Sequence, residues 1–261
     1  MIHAKELVQR MKATLRRIDY DLDAAIAQLG QVVRTERRDR GEAFTRDEHI
    51  RGLILSMLSN QRPWGPIIDN MDRLTDVFYG FDLERIKRAD KSMLARKVKE
   101  LKCGNRAIDK QMASLDDNIR ILEQIEAAYG SLEHYVTSDV PERIASELGR
   151  GRTYKLKQIG YTLALEYLRN VGIQAIKPDV HIRRIISQER LRLHSGHPTE
   201  AEAVDVMRAL AMEAGVSLTY LDNLMWLYCA VDYAHICGSD PKCDRCELRP
   251  DCRLGLEGQA I

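Results

Sequence analysis

The chain has 261 residues, 30% charged and 44% hydrophobic, with a formal net charge of +1 at pH 7. That length allows one large domain or two small ones with a real core. The near-zero charge excludes a generally basic nucleic-acid coat, and no apolar run approaches the ~18–20 residues of a membrane span.

The first stretch, MIHAKELVQRMK, is polar and carries no apolar signal segment, which sets the expectation of a cytoplasmic protein. The first forty residues read as a helical, charge-rich lead ending in Arg34, Arg37, Arg38 and Arg40. A helix-period stripe then runs through Ile50, Leu53, Ile54, Met57 and Leu58. Thr45 and Glu48 form a capping-box signature in front of it, and Pro63 follows. Leu58-Ser59-Asn60-Gln61 closes this helix, with Trp64 just beyond, and Lys102–Arg106 reads as a further turn.

From Pro141 to Ile186 the charge balance changes, with nine Lys or Arg against four acids. Local positive charge can neutralise phosphates while the rest of the protein stays near neutral; a solvated helix surface is the alternative. Gly149–Gly151 reads as a turn, and a helix from about Thr162 to Val171 stops at Gly172, a good residue just past a helix end. Thr199 and Glu202 make a second capping box ahead of a stripe including Ala203, Val206, Met207 and Leu210. Few segments alternate with period two, so the fold expected is all-α.

Near the C-terminus Cys237, Cys243, Cys246 and Cys252 are spaced C-x5-C-x2-C-x5-C. A [4Fe–4S] cube takes four cysteine ligands, one per iron, and the intervening Gly, Asp and Pro suit tight turns. Zinc is the rival occupant, but structural zinc sites usually carry two close pairs of ligands far apart, and here only one pair is close. Cys103 and Cys229 read as isolated thiols, and six cysteines in this arrangement fit a reducing compartment better than a disulfide scaffold.

Leu156-Lys157-Gln158-Ile159-Gly160, the helix that follows, and Lys177-Pro178-Asp179-Val180-His181-Ile182-Arg183-Arg184 together resemble the helix-hairpin-helix and Gly/Pro…Asp signature of the endonuclease III superfamily of DNA glycosylases. The hairpin consensus there is close to L-P-G-V-G, and the following loop close to V-D-T-H-x-x-R. Leu58-Ser59-Asn60-Gln61 is similar to the family's L-S-x-Q segment, and the four-cysteine loop lies in the family's order. The resemblance covers roughly residues 45–252. It implies two helical domains with a DNA-binding cleft. One would be a helical barrel over 44–170, and the other would be built from 1–43 plus 171–261 and carry the iron–sulfur loop.

The resemblance also assigns roles. Asp179 matches the catalytic aspartate; a carboxylate there stabilises an oxocarbenium-like sugar or activates water. It also suits the start of a helix. Gln61 matches the residue that fills the hole left by a flipped base, and the Lys102–Arg106 turn loosely resembles a second wedge. Lys155, Lys157, Gln158 and Gly160 are expected at the phosphate backbone, with His181 and Arg184 supporting the loop and phosphates. Trp64 and Tyr161 are candidates for stacking on the extruded base, or for core packing.

Two departures matter. Gln158 stands where the family has its first hairpin glycine. Thr162 stands where bifunctional members place a lysine that forms a Schiff base with the sugar. A hydroxyl cannot do this, so Thr162 shifts the expectation to a monofunctional glycosylase that uses water in base-excision repair. The partner expected is double-stranded DNA with a lesion or mismatch, bound by a monomer. A glycosylase/AP lyase using another lysine, a non-catalytic DNA-binding or redox-sensing relative, and a zinc-stabilised helical module are the other readings. The lesion is not legible, with a mild leaning to alkylated bases from the aromatic residues. A spacing of five where six is usual sets the first cysteine pair apart from the commonest family pattern.

Overall fold

In the computed structural model, residues 2–257 are described. Among them all regular structure is helical, chiefly α with short 3-10 turns. The chain divides into two compact units, Val33–Ala175 and Met1–Val32 with Ile176–Ile261.

In the Val33–Ala175 unit the helix Arg46–Leu58 lies at the centre. Its start is the capping box expected, Thr45 accepting from the Glu48 N–H and Glu48 reaching back to Thr45. The stripe read from the sequence is only part of its buried surface. His49, Gly52, Leu55 and Ser56 are buried too, so from His49 onward, Arg51 apart, the helix is enclosed all round rather than amphipathic, while Arg46 and Asp47 stay exposed. Gly52 permits the contact with the helix Tyr161–Asn170: a Cβ there would stand 3.1 Å from Val171 Cγ1. Across the same contact Asn170 Nδ2 donates to the Gly52 carbonyl at 3.1 Å. Beyond it, the helix Pro141–Arg150 packs on Tyr161–Asn170.

A polar network ties the entry of this unit to its core. His49 Nδ1 lies 2.6 Å from the Tyr167 hydroxyl, and its Nε2 is 3.5 Å from Glu133. Glu133 also pairs with Arg38 and accepts from the Phe44 N–H. Arg38 reaches the Val171 carbonyl as well, and Arg37 pairs with Glu42 and Glu48. Gly172, at φ +77, presses against the Arg34 carbonyl. The arginine-rich end of the lead is thus spent on internal pairs, which is why residues 33–43 pack with this unit.

In the other unit the helix Leu218–Cys229 forms the core, with Leu221, Leu224, Met225, Leu227, Tyr228 and Cys229 fully buried. The helices Ala4–Arg17, Val180–Ile186 and Glu200–Ala214 pack on it. Thr199 and Glu202 form the second capping box as expected. Ala4–Arg17 also clasps the cysteine loop: Arg10 pairs with Asp251 at 2.7 Å, Arg17 with Glu247 at 2.6 Å, and Thr14 Oγ1 accepts from the Glu247 N–H at 3.0 Å.

Burial would raise the Glu133 carboxyl, but hydrogen bonds from His49 and Arg38 and the Arg38 charge outweigh it and hold the group down to about 2, from an ordinary 4.5. A depressed carboxylate stabilises the fold above its unfolded value and loses that contribution as pH falls toward its folded one. Glu133→Gln should therefore be clearly less stable than wild type above about pH 5, with the gap closing toward about pH 2. Urea midpoints measured across that range test this, and a gap independent of pH contradicts it.

Candidate nucleic-acid interface and cysteine loop

The hairpin between Arg150 and Tyr161 is built from backbone fixed by side chains. Pro141–Arg150 runs through Gly149, a helical position rather than the turn expected of Gly149–Gly151. Gly149 sits where the helix touches the hairpin: a Cβ would stand 2.6 Å from the Tyr161 nitrogen and 2.8 Å from the Gly160 carbonyl carbon. Glu147 accepts from the Thr153 and Tyr154 N–H groups, both at 3.1 Å. Asn118 holds Lys157 by both ends, accepting from its N–H at 2.6 Å and donating to its carbonyl at 3.0 Å.

Gln158 adopts the left-handed conformation, φ +59, and is exposed. The hairpin therefore keeps its turn without the glycine and carries the strain of a Cβ there. Gly160 is exposed and opens the helix Tyr161–Asn170, whose start no side chain caps. The residues expected to meet phosphate divide into two kinds. Lys157 is exposed. Lys155 is half-buried, its ammonium donating to the carbonyls of Leu156 and Ile159 at 2.6 and 2.5 Å; burial first, and then the nearby Lys157 charge, push its pKa down. Thr162 lies in the first turn of the helix, partly exposed.

Gln61 follows the end of Arg46–Leu58, exposed and left-handed at φ +49. The Lys102–Arg106 turn lies beside it, and Lys102 is also left-handed, φ +55. Three donors converge on the Met57 carbonyl: the Asn60 N–H, Asn105 Nδ2 at 2.9 Å and Gln111 Nε2 at 3.0 Å. Arg62 donates to the Gly104 carbonyl at 2.6 Å. The last carbonyls of a helix have no partner within it, and here they anchor the second turn. The sequence singles out Asn105 only as part of the Lys102–Arg106 turn and gives no sign of Gln111 or Arg62, because their acceptors are backbone carbonyls that any residue presents. Trp64 is 7% exposed and Tyr161 6%, with the Arg150 guanidinium 4.5 Å from the Tyr161 ring centre. As the chain stands, neither ring offers an open face.

In the other unit Asp179 precedes the helix Val180–Ile186 and caps it: Oδ1 accepts from the His181 N–H at 2.8 Å and the Ile182 N–H at 3.3 Å. Among the described residues Oδ2 has no hydrogen-bond partner, and Asp179 is partly exposed. Pro178 is buried, and Asp222 Oδ1 accepts from the Lys177 N–H at 3.1 Å, fixing the approach. His181 lies edge-on to Trp226, ring centres 6.2 Å apart. Burial pushes its imidazole below the ordinary value, against Asp179, which pulls the other way. Arg184 places its charge near Cys229 and Cys237.

The four loop cysteines share one neighbourhood, since Cys243, Cys246 and Cys252 each sense Cys237 electrostatically. Among the described residues no three His, Cys, Asp or Glu side chains converge as they would on a single metal ion. A [4Fe–4S] cube gives each thiolate its own iron, so its ligands need not converge on one point. Only Cys237 is held below its ordinary value, while burial pushes Cys243, Cys246 and Cys252 up. The Cys229 thiol hydrogen-bonds Cys237 and lowers its pKa, with Arg190 and Arg184 adding positive charge. The Tyr228 hydroxyl lies 3.0 Å from Cys246 Sγ and bonds Thr14 Oγ1. Burial pushes Cys246 up to about 11, a penalty that iron ligation would remove. In number and donor type the four cysteines match the four thiolate ligands of such a cluster. Cys229 corrects the sequence reading: it is no isolated thiol but a neighbour of the ligand set. Cys103 stands apart in the other unit, buried, with Sγ 3.2 Å from the Pro66 carbonyl.

No protein-family model matches the chain, and no curated protein is similar to it in sequence. Solved structures are similar in fold. The 8-oxoguanine DNA glycosylase of Thermotoga maritima is 19% identical with a TM-score of 0.59, over 87% of this chain and 96% of that one. The 8-oxoguanine DNA glycosylase of Methanocaldococcus jannaschii is 18% identical with a TM-score of 0.57, over 87% and 96%. An endonuclease III trapped as a covalent intermediate with DNA is 18% identical with a TM-score of 0.55, over 94% and 98%. The chain has the all-helical fold of these DNA glycosylases. Among its described residues no helix is long and apolar enough to cross a membrane.

Replacing Gln158 with Gly removes the cost of a side chain at positive φ and should stabilise the protein by about 0.5–1 kcal/mol, read as a raised melting temperature. A lowered one would place Gln158 among the residues that hold the turn. Replacing Cys237, Cys243, Cys246 or Cys252 with Ser should each lower iron content in protein purified without oxygen, whereas Cys103→Ser and Cys229→Ala should retain it. Stoichiometric zinc without iron, under iron-replete conditions, would defeat the cluster assignment.

Proposed function

We propose that the protein is a monofunctional DNA glycosylase of base-excision repair, which extrudes a damaged or mismatched base from duplex DNA and hydrolyses its N-glycosidic bond. The observation that carries this is Asp179 in a glycosylase fold. One carboxylate oxygen is spent on the helix start and the other has no partner among the described residues. Held this way, the group keeps its orientation while Oδ2 faces the reaction.

In this reading the carboxylate stabilises positive charge developing on the sugar and orients the attacking water. Gln61 enters the space the base leaves, on a turn braced by the Asn105–Met57 and Arg62–Gly104 hydrogen bonds. The hairpin at Lys157–Gly160 takes the phosphate backbone. Cys237, Cys243, Cys246 and Cys252 hold a [4Fe–4S] cluster, which ties the loop together as structural chemistry. Two observations favour water over an amine nucleophile. Thr162 replaces the lysine of bifunctional members, and the Lys155 ammonium is engaged by two carbonyls. For the lesion we put 8-oxoguanine ahead of alkylated bases. Two structural neighbours carry that activity in their names, and the buried Trp64 and Tyr161 weaken the aromatic argument for a cationic base.

Single-turnover assays on duplexes bearing 8-oxoguanine, alkylated purines, deaminated bases, oxidised pyrimidines or mismatches test this. Wild type should release at least one base, and Asp179→Asn should lower that rate by at least ~10²–10³-fold with duplex affinity nearly unchanged. Equal rates for the two proteins would remove Asp179 from the chemistry, and no release from any duplex would favour the non-catalytic DNA-binding relative.

A further inference from the structure

Lys155 stands just ahead of the turn it closes. Its stem folds back so that Nζ meets the carbonyls of Leu156 and Ile159, one on each side of Gln158. Those carbonyls are not free to turn away, because Asn118 fixes Lys157 at both ends and Gly149 presses on the Gly160–Tyr161 backbone. Two carbonyl oxygens at the tip of a phosphate-binding turn present negative charge to an incoming anion. An ammonium has three N–H donors. Two are spent here, and among the described residues no other acceptor is bonded to Nζ.

We propose that Lys155 is the hairpin's own built-in cation, cancelling the Leu156 and Ile159 carbonyls and offering its third N–H to a backbone phosphate of DNA. This rests on the hairpin being a DNA contact, as in the function proposed above. It separates Lys155 from Lys157, which is exposed and makes no side-chain hydrogen bond to the turn. Lys157 adds charge near the phosphate, whereas Lys155 makes the turn itself receptive. The arrangement also accounts for a burial that a simple phosphate-binding lysine does not need, since the side chain is held at the turn before DNA arrives.

The test uses the full chain and an undamaged duplex of about 20 base pairs, with affinity measured over a series of salt concentrations. Lys155→Gln keeps amide donors for the carbonyls and drops the charge; Lys155→Met drops both. Each should weaken binding several-fold and reduce the slope of log affinity against log salt by about 0.9, the value of one phosphate contact. Lys155→Met should also melt at a lower temperature than Lys155→Gln, while Lys157→Met should reduce the slope without lowering the melting temperature. If Lys155→Met does not fold, Lys155→Gln alone decides. A salt slope equal to wild type in folded Lys155→Gln would overturn the proposal and leave Lys155 as an internal staple. Failure of wild type to bind the duplex would instead sink the reading of the hairpin as a DNA contact. Binding without base release from any lesion would sink the glycosylase reading alone.

Discussion

The enclosure of the helix Arg46–Leu58 is the constraint on which the rest of the Val33–Ala175 unit depends. A helix buried on every side from His49 onward, Arg51 apart, must have its neighbours' polar groups accounted for, because an unpaired polar group away from water costs about 1–3 kcal/mol. The solutions are visible at three levels. Near its start His49 meets Tyr167 and Glu133. In the middle Gly52 admits the helix that begins at the hairpin. At its end the Met57 carbonyl gathers Asn105 and Gln111. The exposed turns at Gln61 and Lys102–Arg106 are thereby attached to the buried end of this helix. If Gln61 enters the DNA stack as proposed, such a mounting lowers the ordering entropy surrendered on each insertion.

Charge is used in the same economical way. The basic excess between Pro141 and Ile186 reads from the sequence as a surface for phosphate, yet much of it is engaged internally. Arg150 covers Tyr161, Lys155 closes the hairpin, Arg169 pairs with Glu166 at 2.6 Å, and Arg183 donates to the Pro198 carbonyl. Lys157 and Arg152 remain exposed. A protein with near-zero net charge can still hold DNA if a few fixed donors sit at one turn, because short-range hydrogen bonds to phosphate are less dependent on the global field than diffuse charge is.

Much of this was legible in the sequence. Both capping boxes, the stop at Gly172 and the all-helical class follow from local rules whose physics is contained in a few neighbouring residues, whereas the hairpin turn comes from the family resemblance. What was not legible depends on contacts between distant segments. Nothing near Cys229 in the sequence indicates that its thiol meets Cys237, because that contact needs the loop to fold back on the end of Leu218–Cys229. Gly149 looked like a turn residue, since glycine in a helix and glycine in a turn are the same letter. Its role appears only when Gly160 and Tyr161 are placed against it. Gln158 shows the opposite case. The missing glycine was visible, but whether the turn would bend or persist was not, and it persists with Gln158 at positive φ.

In the function proposed, the chemistry turns on Thr162, which the hairpin resemblance aligns with the lysine of bifunctional glycosylases, and on Lys155, whose ammonium is occupied by carbonyls. The most direct test is borohydride treatment of the wild-type protein during turnover of its best damaged duplex. The account predicts base release, an abasic site left intact until alkali is added, and no reduced protein–DNA adduct. A trapped covalent adduct with strand cleavage would mean that an amine of this chain attacks the sugar, and would contradict it.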